Sequence, residues 1–287
     1  MIKPEIAREA AALRSRVAAW RNAEERIALV PTMGALHEGH LALIREGKKR
    51  ADRIVVSSFV NPAQFAPSED FSAYPRTFER DLDLLASVGT DLVYAPSPDV
   101  MYPPGFAASI TIGGPALAGL EDAVRPHFFS GVATVVAKLL IQSAPDEALF
   151  GEKDYQQLLV VRRMAADLDL PVSIIGVPTS READGLARSS RNVYLSVDER
   201  TAAGAVPRVL QDCRAALSQG RSIDDVLADG RAALERAGFV VDYLVLRDAR
   251  TLAPVETFGT DPLRLLVAAR TGKTRLIDNI AVVAPSA

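Results

Sequence analysis

Arg26-Ile27-Ala28-Leu29-Val30-Pro31-Thr32-Met33-Gly34-Ala35-Leu36-His37-Glu38-Gly39-His40 begins as a short apolar run of strand type and ends, after a proline and a glycine, in a loop with two histidines. A helical pattern follows at once, with Leu41, Leu43 and Ile44 among its apolar residues and Lys48, Lys49 and Arg50 at its far end. A strand passing through a tight loop into a helix N-terminus offers backbone N–H groups and a positive dipole end, a geometry that suits a phosphate. His37 and His40 add two side-chain donors for the same anion. Two of the chain's three histidines sit here, which makes this loop the place to look for function.

The chain around it has 287 residues, enough for a large core and for two domains. Its 48% hydrophobic and 24% charged residues are ordinary for a globular protein. A net charge of −3, without a basic stripe interleaved with aromatics, argues against a nucleic-acid partner. Cys213 is the single cysteine and lies in a helical pattern, so no disulfide framework or cysteine metal site is expected, only a buried structural thiol. Residues 1–21 lack the apolar segment of a signal peptide, and no apolar run approaches the roughly 20 residues of a membrane span. These features predict a soluble protein of a reducing, cytoplasmic compartment with no membrane partner.

Ile6, Ala10, Leu13 and Val17 are spaced for one face of a helix over residues 5–21. Strands are expected at 27–30, 54–60, 91–95, 148–150 and 171–177. Helices are expected at 39–50, 77–88, 131–142 and from the Gly151–Gln157 stretch to about Leu168. Residues 66–75 read as a polar surface loop, and 96–119, rich in proline and glycine, as a long excursion. Alternating strands and helices imply a doubly wound, Rossmann-like parallel α/β sheet in an N-terminal domain, residues 1–179. Ligands of such sheets bind at the carboxyl ends of strands, so the loops after Val30, Val60, Phe150 and Val177 should converge. Residues 179–192 form a polar loop; helices at 196–218 and 223–237 and strands at 240–246, 263–268 and 274–283 predict a smaller α+β C-terminal domain, 180–287, closing over the active site.

Other constellations carry chemistry. Gly151-Glu152-Lys153-Asp154 follows a strand and opens a helix; Lys153 can neutralise a phosphate, and Asp154 can accept from ribose hydroxyls or cap the helix. Gln64 and Gln157 each lie just beyond a strand-end loop or one turn into a helix, placed to bind a polar substrate. Arg188-Ser189-Ser190-Arg191-Asn192 supplies hydroxyls and guanidinium groups for closure over a phosphate. A zinc reading of His37 and His40 fails on spacing, since His-Glu-x-x-His needs histidines four apart and these are three apart. No Gly-x-x-x-x-Gly-Lys-Ser/Thr, Gly-x-Gly-x-x-Gly or Gly-x-Ser-x-Gly motif occurs.

Pro31 to His40 resembles the signature of the pantothenate synthetase (pantoate–β-alanine ligase) family, and its His-x-Gly-His end resembles the nucleotide motif of class I aminoacyl-tRNA synthetases. Further similar segments follow in the family's order: Phe59 to Phe65, Tyr74-Pro75-Arg76-Thr77, Phe150 to Gln157, and Arg181 to Asn192, the last resembling the mobile Lys-Met-Ser-Lys-Ser loop of those synthetases. Five ordered motifs extend the resemblance over nearly the whole chain.

The resemblance implies a ligase that joins pantoate to β-alanine through a pantoyl adenylate, with ATP as co-substrate, Mg2+ as cofactor, and a homodimeric assembly. It implies a catalytic set of His37, His40, Lys153 and Arg191, with His40 the residue such families label as proton donor. ATP would lie along Pro31, Thr32, Met33, Gly34, His37, Gly39, His40, Gly151, Glu152, Lys153, Asp154, Ser180, Arg188, Ser189, Ser190 and Arg191. Pantoate would meet Met33, Gln64, Gln157 and Arg125; β-alanine would meet Gln64 and Asn61; magnesium would meet Asp81. Three positions depart from the pattern. Arg80 replaces a second acidic residue, His127 sits one place early in Arg125-Pro126-His127-Phe128-Phe129, and Arg188 stands where Met is common. A different nucleotidyltransferase of the same fold, or a nucleotide-binding regulator, is the alternative to the ligase.

Overall fold

A computed structural model describes residues 3–65, 71 and 74–283. The chain divides into two compact units, Met1–Gly151 with Gln156–Pro178, and Glu152–Tyr155 with Thr179–Ala287. The expected polar loop at 66–75 falls largely outside the described residues.

The first unit runs β1 (Glu5–Ala7), α1 (Ala10–Asn22), β2 (Ile27–Thr32), α2 (Glu38–Gly47), β3 (Arg53–Ser58), α3 (Phe78–Ser87), β4 (Leu92–Tyr94), α4 (Pro98–Met101), α5 (Glu121–Val124), α6 (Phe128–Ser143), β5 (Glu147–Gly151), α7 (Tyr155–Asp167) and β6 (Ser173–Val177). Among the described residues six strands form one sheet in the order β1-β4-β3-β2-β5-β6, every pairing parallel. Ile27, Ala28, Leu29 and Val30 are wholly buried, as a central strand covered on both faces requires. One apolar cluster joins Leu13, Val17 and Trp20 of α1 to Val132 and Val136 of α6 and Leu158 and Val161 of α7. A second joins Leu41 and Ile44 of α2 to Leu82 and Leu85 of α3. The doubly wound architecture read from the sequence is present.

One expected helix begins late. Residues 5–21 do not form a single helix, because Glu5–Ala7 pairs in parallel with Leu92–Tyr94 as an edge strand and the helix starts at Ala10. Ile6 keeps apparent helical spacing with Ala10, but its partner lies across the sheet at Val93.

The sheet opens where the site is expected. The chain builds β2, β3 and β4 outward on one side, then returns to place β5 on the other side of β2. Pairing of β2 with β5 is confined to Ala28↔Glu147 and Leu29↔Ala148, whereas β2 follows β3 to Thr32↔Ser58. The Thr32 carbonyl accepts from Phe59 N at 3.1 Å, so Thr32 turns its peptide groups toward β3. Pro31 by alternation faces β5, where the ladder has ended and its missing N–H costs no bond. Such a split at a topological switch point is where open α/β sheets bind ligands.

The second unit contains α8 (Val197–Ala203), α9 (Ala205–Ser218), α10 (Ile223–Arg236), β7 (Val240–Asp248), β8 (Leu263–Thr271) and β9 (Thr274–Val282). Its strands form an antiparallel sheet, β7-β8-β9, and Val209, Leu210, Val226 and Leu234 of the helices pack with Leu244, Leu265 and Ile280 of the strands. The helix expected over 196–218 is two helices meeting at Gly204, because Pro207 has no N–H to give the Ala203 carbonyl. Cys213 is buried, and burial pushes its thiol up to about 11, which fits the expected inert structural role. No helix among the described residues is long and apolar enough to cross a membrane.

Candidate active site

In the first unit the loop between β2 and α2 is shaped by two left-handed residues, Gly34 at φ +79° and Ala35 at φ +51°. This turn aims Ala35 N and Leu36 N at one carboxylate, with Asp81 Oδ2 accepting at 2.9 Å and Oδ1 at 3.0 Å. Thr77 donates to the same Oδ1 at 3.1 Å. A side chain at Gly34 would be strained by the positive φ and would approach Asp81 Oδ2 to 3.3 Å. Asp81 is only 3% exposed and committed to these three donors. These bonds give Asp81 a structural part, holding the turn between β2 and α2. Among the described residues no cluster of three or more His, Cys, Asp or Glu side chains is placed to hold a metal.

His37 and His40 cap α2 reciprocally. His37 Nδ1 accepts from Gly39 N at 3.1 Å, and His40 Nδ1 accepts from His37 N at 3.3 Å. Two orphan donors of the helix start are thereby satisfied. With Nδ1 accepting, each neutral ring carries its proton on Nε2. The rings lie 4.1 Å apart, tilted by 41°.

The loop after β3 meets the loop after β2, as expected for these two. Asn61, 1% exposed, accepts from Ala63 N at 3.3 Å and caps a short 3-10 turn, Pro62–Gln64. Its amide N donates to Gln64 Oε1 at 3.1 Å and to Gly131 O at 3.2 Å. Gln64 Nε2 in turn donates to Met33 Sδ at 2.9 Å. Helix α6 approaches this turn so closely that a Cβ on Gly131 would lie 2.2 Å from Ala63 O.

Adjacent glutamines in α7 divide their labour. Gln156 is buried and fully engaged, accepting from Glu121 N at 2.9 Å and donating to Pro115 O at 2.9 Å and Asp122 Oδ1 at 2.8 Å. Gln157 is half-buried. Gln156 thus ties down the end of the 96–119 excursion, a structural part. Arg125 pairs with Glu121 at 2.8 Å and stacks on Phe128 at 3.7 Å from the ring centre.

In the second unit the site candidates hang on two buried polar side chains of β9. Asn279 Nδ2 donates to Glu152 O and Lys153 O, each at 2.9 Å, and its Oδ1 accepts from Arg264 Nε at 2.7 Å. Arg264 also pairs with Glu152 at 3.0 Å and lies 4.1 Å over the Tyr155 ring. These bonds explain why Glu152–Tyr155, expected with residues 1–179, cluster with the second unit. Lys153 Nζ lies 3.8 Å from Asp154. Asp278 receives a two-pronged ion pair from Arg181 at 2.7 and 2.9 Å. Arg181 opens a small hairpin, bridged to Ala187, whose turn is made by Gly185 at φ +89°.

Ser180 O accepts from Arg188 N at 2.9 Å, and the Arg188 guanidinium pairs with Glu182 at 3.1 Å. Ser189 caps the following 3-10 turn, Ser190–Tyr194, by accepting from Arg191 N at 3.3 Å. The stretch expected to be a loose loop is therefore anchored at its base. Arg264, Asp278 and Asn279 were missed; the available signal was a set of polar residues inside the apolar strands Leu263–Thr271 and Thr274–Val282.

Residues 5–281 match the family model described as pantoate-beta-alanine ligase. The pantothenate synthetase of Bradyrhizobium sp. strain BTAi1 is 57% identical over 279 residues, 97% of this chain and 99% of that protein. The crystal structure of pantothenate synthetase from Thermus thermophilus is 47% identical, with a TM-score of 0.90 over 96% of this chain and 98% of that one. The pantoate-beta-alanine ligase of Francisella tularensis, crystallised with beta-gamma ATP and beta-alanine, is 32% identical with a TM-score of 0.79 over 97% of each chain.

Proposed function

The chain is an enzyme of the pantoate-beta-alanine ligase family, and on that premise we propose that it condenses pantoate with β-alanine in an ATP-dependent reaction through a pantoyl adenylate. A carboxylate is a poor acyl donor because its leaving group is oxide. In the first step a pantoate carboxylate oxygen attacks the α-phosphorus of ATP, the bond to the bridging oxygen breaks, and pyrophosphate leaves. In the second, the lone pair of the free β-alanine amine attacks the acyl carbon. The bond to AMP then breaks, and the nitrogen loses a proton to leave the amide. Positioning and charge stabilisation suffice, with no covalent enzyme intermediate. Magnesium enters with the nucleotide, as part of the substrate.

The residue roles follow from chemistry and from the family motifs. His37 and His40 donate from Nε2 to the phosphates; Lys153, Ser189, Ser190 and Arg191 supply further donors and positive charge. Pro31 to Gly34, Gly39, Gly151, Glu152, Asp154, Ser180 and Arg188 line the rest of the nucleotide. Gln157, Arg125, Gln64 and Met33 hold pantoate, and Asn61 and Gln64 receive β-alanine. The same reading carries a cytoplasmic homodimer.

The observation that carries the proposal is the reciprocal capping of His37 and His40, which points both neutral rings' protons to Nε2 at the head of α2. Donors that hold a developing negative charge without reorganising are the main resource of such catalysis. The test supplies the protein with magnesium–ATP, pantoate and β-alanine and follows the products. AMP, pyrophosphate and pantothenate in equal amounts are expected. ADP formation, or AMP release indifferent to β-alanine, would overturn the ligase reading.

A further inference from the structure

The excursion over residues 96–119 holds one side chain that reaches the amides assigned to the acid substrates. Tyr102, just after α4, donates its hydroxyl to Asn61 Oδ1 at 2.7 Å. That bond completes the Asn61 amide. Its carbonyl takes Tyr102 O–H and Ala63 N–H, while its two N–H groups go to Gln64 Oε1 and Gly131 O. Each capacity of the amide has a partner, in a residue 1% exposed. With Asn61 donating, the Gln64 carbonyl is occupied, and the NH2 end of Gln64 is the one turned toward Met33.

The Tyr102 ring is gripped from several sides. Phe59 meets it edge-on at 6.1 Å, Phe106 lies 5.1 Å away, and the Lys138 ammonium sits 5.8 Å from its centre and 4.4 Å from that of Phe106. Burial pushes the Tyr102 phenol up to about 12, so it remains a donor through neutral and mildly alkaline conditions.

We propose that Tyr102 is a positioning residue for acid-substrate binding: its hydroxyl locks the Asn61 amide, which fixes the Gln64 amide with its NH2 end, one N–H of which meets Met33 Sδ, turned to present the other to substrate. The proposal rests on the assignment of Asn61 and Gln64 as acid-substrate residues made above. It gives the excursion a part in recognition, because a hydrogen-bond donor from that segment completes the set, with Ala63 N and Gly131 O, that holds the Asn61 amide and through it the Gln64 amide. A carboxylate or hydroxyl acceptor matches a glutamine that offers N–H; the opposite orientation would present a carbonyl oxygen and repel a carboxylate.

The test is steady-state kinetics of the full chain with Tyr102→Phe, Gln64→Ala, Asn61→Ala and the double variant Tyr102→Phe with Gln64→Ala. Gln64→Ala should raise KM for pantoate or β-alanine, which checks the underlying assignment. Tyr102→Phe should raise the same KM about 3- to 10-fold, as loss of one buried hydrogen bond does, with KM for ATP within twofold. In the Gln64→Ala background that rise should shrink to less than twofold, since coupled residues are not additive. A Tyr102→Phe enzyme with every KM unchanged, beside a Gln64→Ala enzyme that is impaired, would overturn the proposal and leave the assignment standing. Unchanged acid KM values in both Gln64→Ala and Asn61→Ala would remove the assignment and the proposal together. Should Tyr102→Phe lower the melting temperature, full multiplicativity in the double variant would count as a purely structural effect and likewise overturn it.

Discussion

Neutral hydrogen bonds hold many of the candidate site residues of the first unit, with Arg125 on Glu121 a charged exception, whereas ion pairs recur around those of the second beside the neutral bonds of Asn279. His37 and His40 cap each other through imidazole nitrogens, and Tyr102, Asn61, Gln64 and Met33 form a chain of uncharged donors and acceptors. In the second unit, Glu152 is gripped by Arg264, Arg188 by Glu182, and Arg181 by Asp278. The difference follows from what each set must offer. Amides and neutral imidazoles direct hydrogen bonds without a large desolvation cost, and suit a site that sorts substrates by shape and polarity. Arginines that steady a segment rich in phosphate-binding candidates are themselves charged, so each needs a carboxylate partner when it is partly buried.

The largest expected effects come from removing the donors themselves, one on each side of this comparison. His40→Ala and Lys153→Ala should each slow adenylation by about 10²-fold or more, the usual consequence of losing a donor to a developing charge. Single-turnover measurement of AMP-linked product decides this; near-normal rates in both variants would remove the phosphate-contact assignment. A smaller effect separates the two kinds of support. Arg264→Met leaves Glu152 without its cation, and should destabilise the chain by about 2–3 kcal/mol in urea unfolding. Adding Glu152→Gln should restore at least half of that loss, because removing both members of an ion pair leaves no stranded charge. No restoration would mean that the guanidinium acts through its stacking on Tyr155 and its bond to Asn279 instead. The smallest is the effect of Tyr102→Phe on one acid KM.

Most of the first unit was legible because its signals are local. The run from Ile27 to Val30 is apolar without interruption, the loop that follows has its glycine at a positive φ, and the two histidines cap the next helix within four residues of each other. What escaped depends on partners far away in the chain. Glu5–Ala7 becomes a strand only because Leu92–Tyr94 lies beside it. Asp81 reads as a free acidic residue in a helix until Ala35 and Leu36 are seen to donate to it across 46 and 45 residues. The allegiance of Glu152 and Lys153 is set by Asn279, 127 and 126 residues on. Gln156 and Gln157 are identical in sequence terms, and only the packing of Pro115, Glu121 and Asp122 tells them apart. In each case the missing information was a hydrogen bond between distant segments, which no periodicity encodes.

The central claim is an adenylate formed from pantoate before β-alanine acts, and isotope exchange reads it directly. Labelled pyrophosphate is incubated with the protein, magnesium–ATP and pantoate, without β-alanine, and the label entering ATP is counted. The account predicts exchange that depends on pantoate and is strongly reduced in His40→Ala. Exchange that requires β-alanine, or that proceeds without pantoate, would contradict it.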